Sequence, residues 1–213
     1  MKLFREIILG SLSYISINAA ASDFNQFDYL GISFQNHSYE SLNFSPGIDA
    51  TELEPLIYKS SSSARGYRVF VGHQFNQYVA VEAGVTSFGK ASFSLFEKGV
   101  DSAGKVKNNT IYDGQFKTLA GDARIIGTFP LSDSLFLKAH LGALAWDNDF
   151  TVLVQGQEQL LVEKSSDTGI SLLSGIGLGY GFNKVVAVSL DFEKTEIADI
   201  TNQSLGLSVF LRF

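Results

Sequence analysis

Eight stretches of this chain carry an apolar residue at every second position, and that period limits the possible folds more than any other feature. Leu30, Ile32 and Phe34 alternate with Gly31, Ser33 and Gln35. Val79, Val81, Ala83 and Val85 alternate with Ala80, Glu82, Gly84 and Thr86. Leu135, Leu137, Ala139, Leu141 and Ala143 alternate with Phe136, Lys138, His140 and Gly142. The same pattern runs through 67–71, 119–125, 170–180, 186–192 and 205–213. Successive strand side chains point to opposite faces, so each stretch predicts a strand with one apolar and one polar or small face. Eight is an even number, as closed bacterial membrane barrels require.

The connections between these stretches alternate in length. Phe75-Asn76-Gln77, Pro130-Leu131-Ser132-Asp133 and Phe182-Asn183-Lys184 are tight turns with suitable residues. The other connections, 37–64, 90–114, 147–167 and 194–202, are rich in Ser, Asn, Asp, Glu and Lys. A soluble sandwich has no reason to gather its short turns at one end. An outer-membrane barrel does, with short periplasmic turns and long outer loops. Phe75, Tyr78, Phe129, Phe136 and Phe182 flank the short turns, where one interfacial aromatic girdle is expected.

The N-terminus predicts a signal peptide over residues 1–21. Lys2 and Arg5 give the positive start, Ile7–Ile17 the apolar run, and Ala19-Ala20-Ala21 the small residues for cleavage. No later segment approaches the roughly 20 apolar residues of a membrane helix. A mature chain over 22–213 that spans a membrane must therefore use strands, because lipid offers the backbone no hydrogen-bond partners. Charged residues make up only 18% of the chain, against roughly 25% in an ordinary soluble domain. The net charge of −6 excludes a basic nucleic-acid footprint. The absence of cysteine excludes disulfides, thiol nucleophiles and thiolate metal sites.

With the apolar faces in lipid, the other faces line the interior. That set contains Arg68, Glu82, Asp122, Arg124, Lys138, His140, Asp191 and Arg212 as candidate lumen ion pairs. An eight-stranded barrel is just wide enough for its side chains to fill, and ionised groups there must be paired or hydrated. They can form either a closed polar plug or a gated small pore. A soluble sandwich would bury the apolar set and expose this one. The alternation suits both, and the segregated connections favour the membrane.

Several segments resemble the OmpA-like transmembrane barrels. Gly66–Gly84 is similar to that family's second strand, turn and third strand. Phe129–Leu135 matches a turn between strands, and Leu141–Trp146 the end of the fifth strand. Gly177–Gly181, Leu190–Glu193 and Leu205–Phe213 match the last three strands. The resemblance implies an all-β, eight-stranded antiparallel up-and-down transmembrane barrel in the Gram-negative outer membrane. It also implies contact with outer-membrane lipids and lipopolysaccharide. Leu205, Leu207, Val209, Leu211 and Phe213 resemble the terminal signal read by the barrel assembly machinery. Larger members add a peptidoglycan-binding domain; with nothing after Phe213, a barrel alone is expected. Members can also carry an interior salt-bridge gate, whose glutamate matches Glu82 and whose basic partner matches Arg124. Ser189 stands near the position of a further family arginine.

Other constellations carry less. Gly175–Gly181 alternates with apolar residues and opens no helix, so its glycines read as small lumen-facing residues and not as a nucleotide loop. His37, His73 and His140 fall in a loop, at an outward strand end and in the lumen, without metal-ligand spacing. Asp49, Glu52, Glu54, Asp147 and Asp149 read as solvated loop acids. His37 with Ser38 and Glu40 are sequence neighbours and not a triad. The expected function is a structural or surface-interaction role through outer loops that contact an unknown extracellular ligand. No cofactor, no enzymatic activity, no nucleic acid and a monomeric state are expected. The alternatives are a porin-like channel gated by interior ion pairs and a lipid-modifying enzyme.

Overall fold

A computed structural model of the chain describes residues 26–39, 56–60, 63–100, 106–155, 160–198 and 200–213. These residues form nine antiparallel strands: β1 (Phe27–Tyr39), β2 (Leu56–Ser60), β3 (Ser63–Asn76), β4 (Val79–Val100), β5 (Val106–Pro130), β6 (Leu135–Gln155), β7 (Leu160–Gly181), β8 (Val186–Ile197) and β9 (Ile200–Arg212). Eight of them close a ring. The order runs β4-β3-β1-β9-β8-β7-β6-β5, and β5 pairs back onto β4. Every barrel strand thus has two neighbours, and closure removes the open edge that a flat sheet would present. β2 is the exception. It pairs with the outer part of β4, from Leu56↔Glu97 to Ser60↔Phe93.

Three of the turns at one end are short because side chains cap them. The Asn76 side-chain oxygen accepts from the backbone N–H groups of Tyr78 and Val79, at 2.8 and 3.1 Å. Asn183 does the same for Val185 and Val186, at 2.8 and 2.7 Å. The Ser132 hydroxyl accepts from Leu135 N at 3.1 Å. Short polar side chains that substitute for a backbone acceptor are what such turns select. The ring is fastened beside these turns, where Phe213 N donates to Asp28 O at 2.8 Å and Asp28 N donates to Phe213 O at 3.1 Å.

The opposite end differs from the long loops expected there. The β4–β5 ladder continues to Val100↔Val106, and the β6–β7 ladder to Gln155↔Leu160. Much of 90–114 and 147–167 is therefore β-ribbon. Connection 194–202 is a tight turn between Ile197 and Ile200, with Ala198 at a φ of 50°. β4 to β7 consequently rise as a wall above the shorter β8–β9 and β1–β3 hairpins.

The barrel is apolar outside and filled inside. Phe34, Ile125 and Leu141 are all more than 60% exposed on its outer face. Arg68 is 3% exposed within it. Exposed Phe75, Tyr78, Phe129 and Phe182 form the girdle at the short-turn end. Phe136, expected among them, turns inward, where Gly179 leaves room for its ring.

Candidate functional site

Charged side chains converge in the lumen, which is layered along the barrel axis. Nearest the short turns lies an apolar layer. Tyr29, Phe70, Ala80, Ile126, Ala187 and Phe210 pack together, with Phe27 and Phe136 against them. The inward faces of β1, β3, β5 and β9 therefore carry large apolar groups as well as polar ones. Between these side chains a vestibule of about 310 Å³ reaches up to Glu82 and Lys138.

The ion layer sits above. Arg68 Nη1 lies 2.8 Å from Glu82 Oε2. The same guanidinium makes a two-pronged contact with Asp122, Nη2 to Oδ1 at 2.7 Å and Nε to Oδ2 at 3.0 Å. Arg124 Nε donates to Asp122 Oδ1 at 2.9 Å, and its Nη1 to Glu193 Oε1 at 2.6 Å. Asp122 thus joins two arginines, with the Thr86 hydroxyl donating to it at 3.2 Å. The Tyr29 hydroxyl donates to Glu82 Oε1 at 3.0 Å, which ties this layer to the one below. Beside this chain Lys138 Nζ approaches Asp191 Oδ1 at 2.9 Å. The hydroxyls of Ser189 and Ser208 donate to Asp191 Oδ2, at 2.7 and 3.1 Å. Forked guanidinium–carboxylate geometry of this kind is the strong form of a buried pair.

Glycines on β7 make the room. A Cβ at Gly177 would overlap Asp191 Oδ1, and one at Gly175 would overlap the His140 ring. These glycines face large side chains across the ladder, which accounts for their alternation along 175–181.

A third zone closes the outer end. Phe88, Ala120, Leu144, Trp146, Leu173 and Ile197 form a buried apolar cluster, and Tyr39, Ala64, Ala91 and Phe116 form a second. Trp146 Nε1 donates to Ser171 Oγ on the neighbouring β7 at 2.8 Å, which fixes the indole over Gly169.

Seven of the eight lumen charges chosen from the sequence take part in ion-layer contacts, and one stands apart. Arg212 has no carboxylate partner among the described residues. Its guanidinium lies 5.2 Å from the Phe27 ring and 5.6 Å from the Phe210 ring. His140 Nε2 comes within 3.3 Å of Glu193 Oε1 without hydrogen-bonding alignment. The expected Glu82–Arg124 pair does not form. The two residues are register partners, yet Glu82 takes Arg68 and Arg124 takes Asp122 and Glu193. Ser189 supports Asp191 through its hydroxyl. Glu193 is not singled out by the sequence because it adjoins a segment that reads as loop, although it continues the inward phase of Ser189 and Asp191.

His37 also needs correction. It lies in β1, points inward at 1% exposure, and stacks on Phe88 with centroids 4.6 Å apart. Strand pairing continues through it to Tyr39, so it is a lumen residue and not a loop residue. His73 faces outward at the short-turn end, with Nδ1 2.7 Å from Asp28 Oδ1. Asp147 and Asp149 lie on β6, opposite Leu119 and Lys117. Asp49, Glu52, Glu54 and residues 1–25 fall outside the described residues. Leu205, Leu207, Val209, Leu211 and Phe213 are all exposed on the outer face of β9. Among the described residues, no group of three or more His, Asp or Glu side chains is arranged to hold a metal ion.

A family described as outer membrane protein beta-barrel domain matches residues 7–213. Outer membrane protein A of Serratia marcescens is 28% identical over 156 residues, which are 70% of this chain and 39% of that protein. Outer membrane protein A of Shigella flexneri is 25% identical over 215 residues, 97% of this chain and 54% of that protein. The chain thus spans about half or less of the curated relatives it matches. Solved structures share the fold, two of them as follows. Ail, the attachment invasion locus protein of Yersinia pestis, superposes with a TM-score of 0.53 at 16% identity, covering 89% of this chain and 99% of that one. Neisserial surface protein A gives 0.50 at 17% identity, with coverages of 87% and 97%.

Proposed function

Since this chain belongs to the outer membrane protein beta-barrel domain family and resides in the Gram-negative outer membrane, we propose that it acts there as a sealed barrel. Its working surface is the outer end, where the β4–β7 wall presents a contact face to an extracellular ligand. The observation that carries this reading is the apolar zone around Leu144 and Trp146, above the ion layer. An ion that passed Arg68, Asp122 and Arg124 would still meet buried hydrocarbon and an indole. Dehydrating an ion against such a wall is prohibitive. The ion layer on this reading is structural, since every carboxylate in it has a cationic neighbour. The exposed apolar face of β9 ending at Phe213 serves as the signal for the barrel assembly machinery, and the barrel works as a monomer without enzymatic activity.

A second reading, a small channel gated by the ion pairs, is favoured by the vestibule that reaches Glu82 and Lys138 from the short-turn end. Planar-bilayer recording separates the two, with insertion verified by the heat-dependent gel shift of folded barrels. The sealed reading expects silent bilayers. Reproducible steps from the unaltered protein, changed in size or frequency by Glu82→Ala or Arg124→Ala, would establish the channel instead.

A further inference from the structure

β4 contains one break in its alternation, and it redirects a charge. Ser87 pairs with Leu119 and Lys90 pairs with Lys117, so β4 spends two residues, Phe88 and Gly89, where β5 spends only Thr118. Gly89 has a φ of +78°, the left-handed region in which glycine is at ease. A Cβ there would also overlap the carbonyl oxygen of Arg65. Up to and including Phe88 the even-numbered residues point inward, as Glu82 and Thr86 do. Above it the phase is reversed: Lys90 is exposed on the outer face and Ala91 is buried. An unbroken strand would have turned Lys90 into the lumen.

The bulge places Lys90 directly opposite Lys117, which is also exposed on the outer face. Like charges facing each other across a ladder repel. Arg65, exposed on β3, stands beside them, because its backbone packs against Gly89. With neighbouring strands roughly 4.8 Å apart, three cations occupy one small patch. None of them makes an ion pair among the described residues; Asp149, the register partner of Lys117 on β6, is the acid nearest in the ladder. The level is equally informative. Tyr67, Ser87 and Leu119 lie one step below on the same three strands, and Tyr67 and Leu119 are 54% and 42% exposed at the upper edge of the apolar belt. The patch therefore sits where hydrocarbon gives way to headgroups.

We propose that Arg65, Lys90 and Lys117 form a binding site for the phosphate groups of an outer-leaflet lipid, held open by the Gly89 bulge. A phosphate has enough acceptor oxygens to engage all three cations and removes the repulsion between the two lysines. Its acyl chains then lie along the apolar belt that begins at Tyr67 and Leu119. This inference rests on the membrane-barrel reading.

The test uses the full chain refolded into neutral detergent and titrated with bisphosphorylated lipid A, the bound fraction being read by native mass spectrometry. Each cation removed from the patch is expected to weaken binding about fivefold, so Lys90→Ala/Lys117→Ala falls well below the unaltered protein. Lys194→Ala, which removes an exposed outer-rim cation on β8, serves as the control and is expected to change little. Arginine at both lysine positions preserves binding. Dephosphorylated lipid A binds no better to the unaltered protein than bisphosphorylated lipid A does to the double variant. Inorganic phosphate in large excess does not displace the lipid. Equal binding by the double variant and the unaltered protein, both showing the folded gel shift, overturns the site and leaves the barrel reading intact. Full displacement by inorganic phosphate overturns the lipid as occupant. A chain that stays soluble without detergent overturns the barrel reading and the site with it.

Discussion

Asp122 is held by two arginines at once, and that makes it the residue whose loss should be felt most. Asp122→Asn leaves the Arg68 and Arg124 guanidiniums competing for Glu82 and Glu193. Breaking a buried pair from one side costs about 3–5 kcal/mol, which urea unfolding in lipid vesicles would register as a lowered midpoint. A drop under about 1 kcal/mol would mean that water already shares the load. The glycines give a paired prediction of opposite sign. Gly177→Ala drives a methyl into Asp191 and should cost about 1–3 kcal/mol as overpacking. Gly121→Ala meets nothing within 4 Å on the outer face and should be neutral or slightly stabilising in the same assay. At this scale alternation reveals which face a side chain takes but not which partner it chooses. Arg68, Glu82, Asp122 and Arg124 can be placed inside from the sequence. That Glu82 goes to Arg68 depends on how β3, β4 and β5 stagger around the closed ring, which no local pattern encodes.

The strands show where a period of two is readable and where it fails. All eight barrel strands stand out because lipid on one side and a filled lumen on the other keep the alternation strict. Beyond the membrane that pressure ends. The upper parts of β4 to β7 mix Ser, Asn, Asp, Glu and Lys with apolar residues out of strict alternation, and they look like loop although their backbones are paired. The β4 bulge hides for a related reason: one extra residue resets the phase, so Lys90 reads as the start of a loop. His37 and Glu193 lie at such boundaries, where the last inward residues of a strand look like the start of a loop. β9 offers an element-scale prediction. Its closure onto β1 near Phe213 uses backbone atoms of Asp28 and Phe213, so Phe213→Ala should leave the ring intact. Refolding of the purified variant in detergent should match the unaltered protein. In cells, if the outward Leu205–Phe213 pattern is the assembly signal, the fraction showing the folded gel shift should fall several-fold. Equal fractions in cells would show that assembly does not read the terminal aromatic.

For the molecule as a whole, the decisive property is that its barriers lie in series. The short-turn end admits a vestibule, the middle holds a charged layer, and the outer third is closed by apolar side chains. Resistances in series are set by the largest, so opening the charged layer alone should change little. Glu82→Ala or Arg124→Ala is therefore expected to leave planar bilayers silent, even though either change disturbs the ion pairs. Leu144→Ala with Trp146→Ala should also remain silent, because the Arg124–Glu193 contact still links β5 to β8, three strands away around the ring. The combination of Arg124→Ala with both apolar substitutions removes obstacles from the two zones together. It should give small conductance steps, provided the folded gel shift shows that the barrel has survived. Conductance in the Arg124→Ala variant alone would mean that Leu144 and Trp146 do not seal the outer end. The charged layer would then be a gate, and the vestibule below it would be the entrance to a pore.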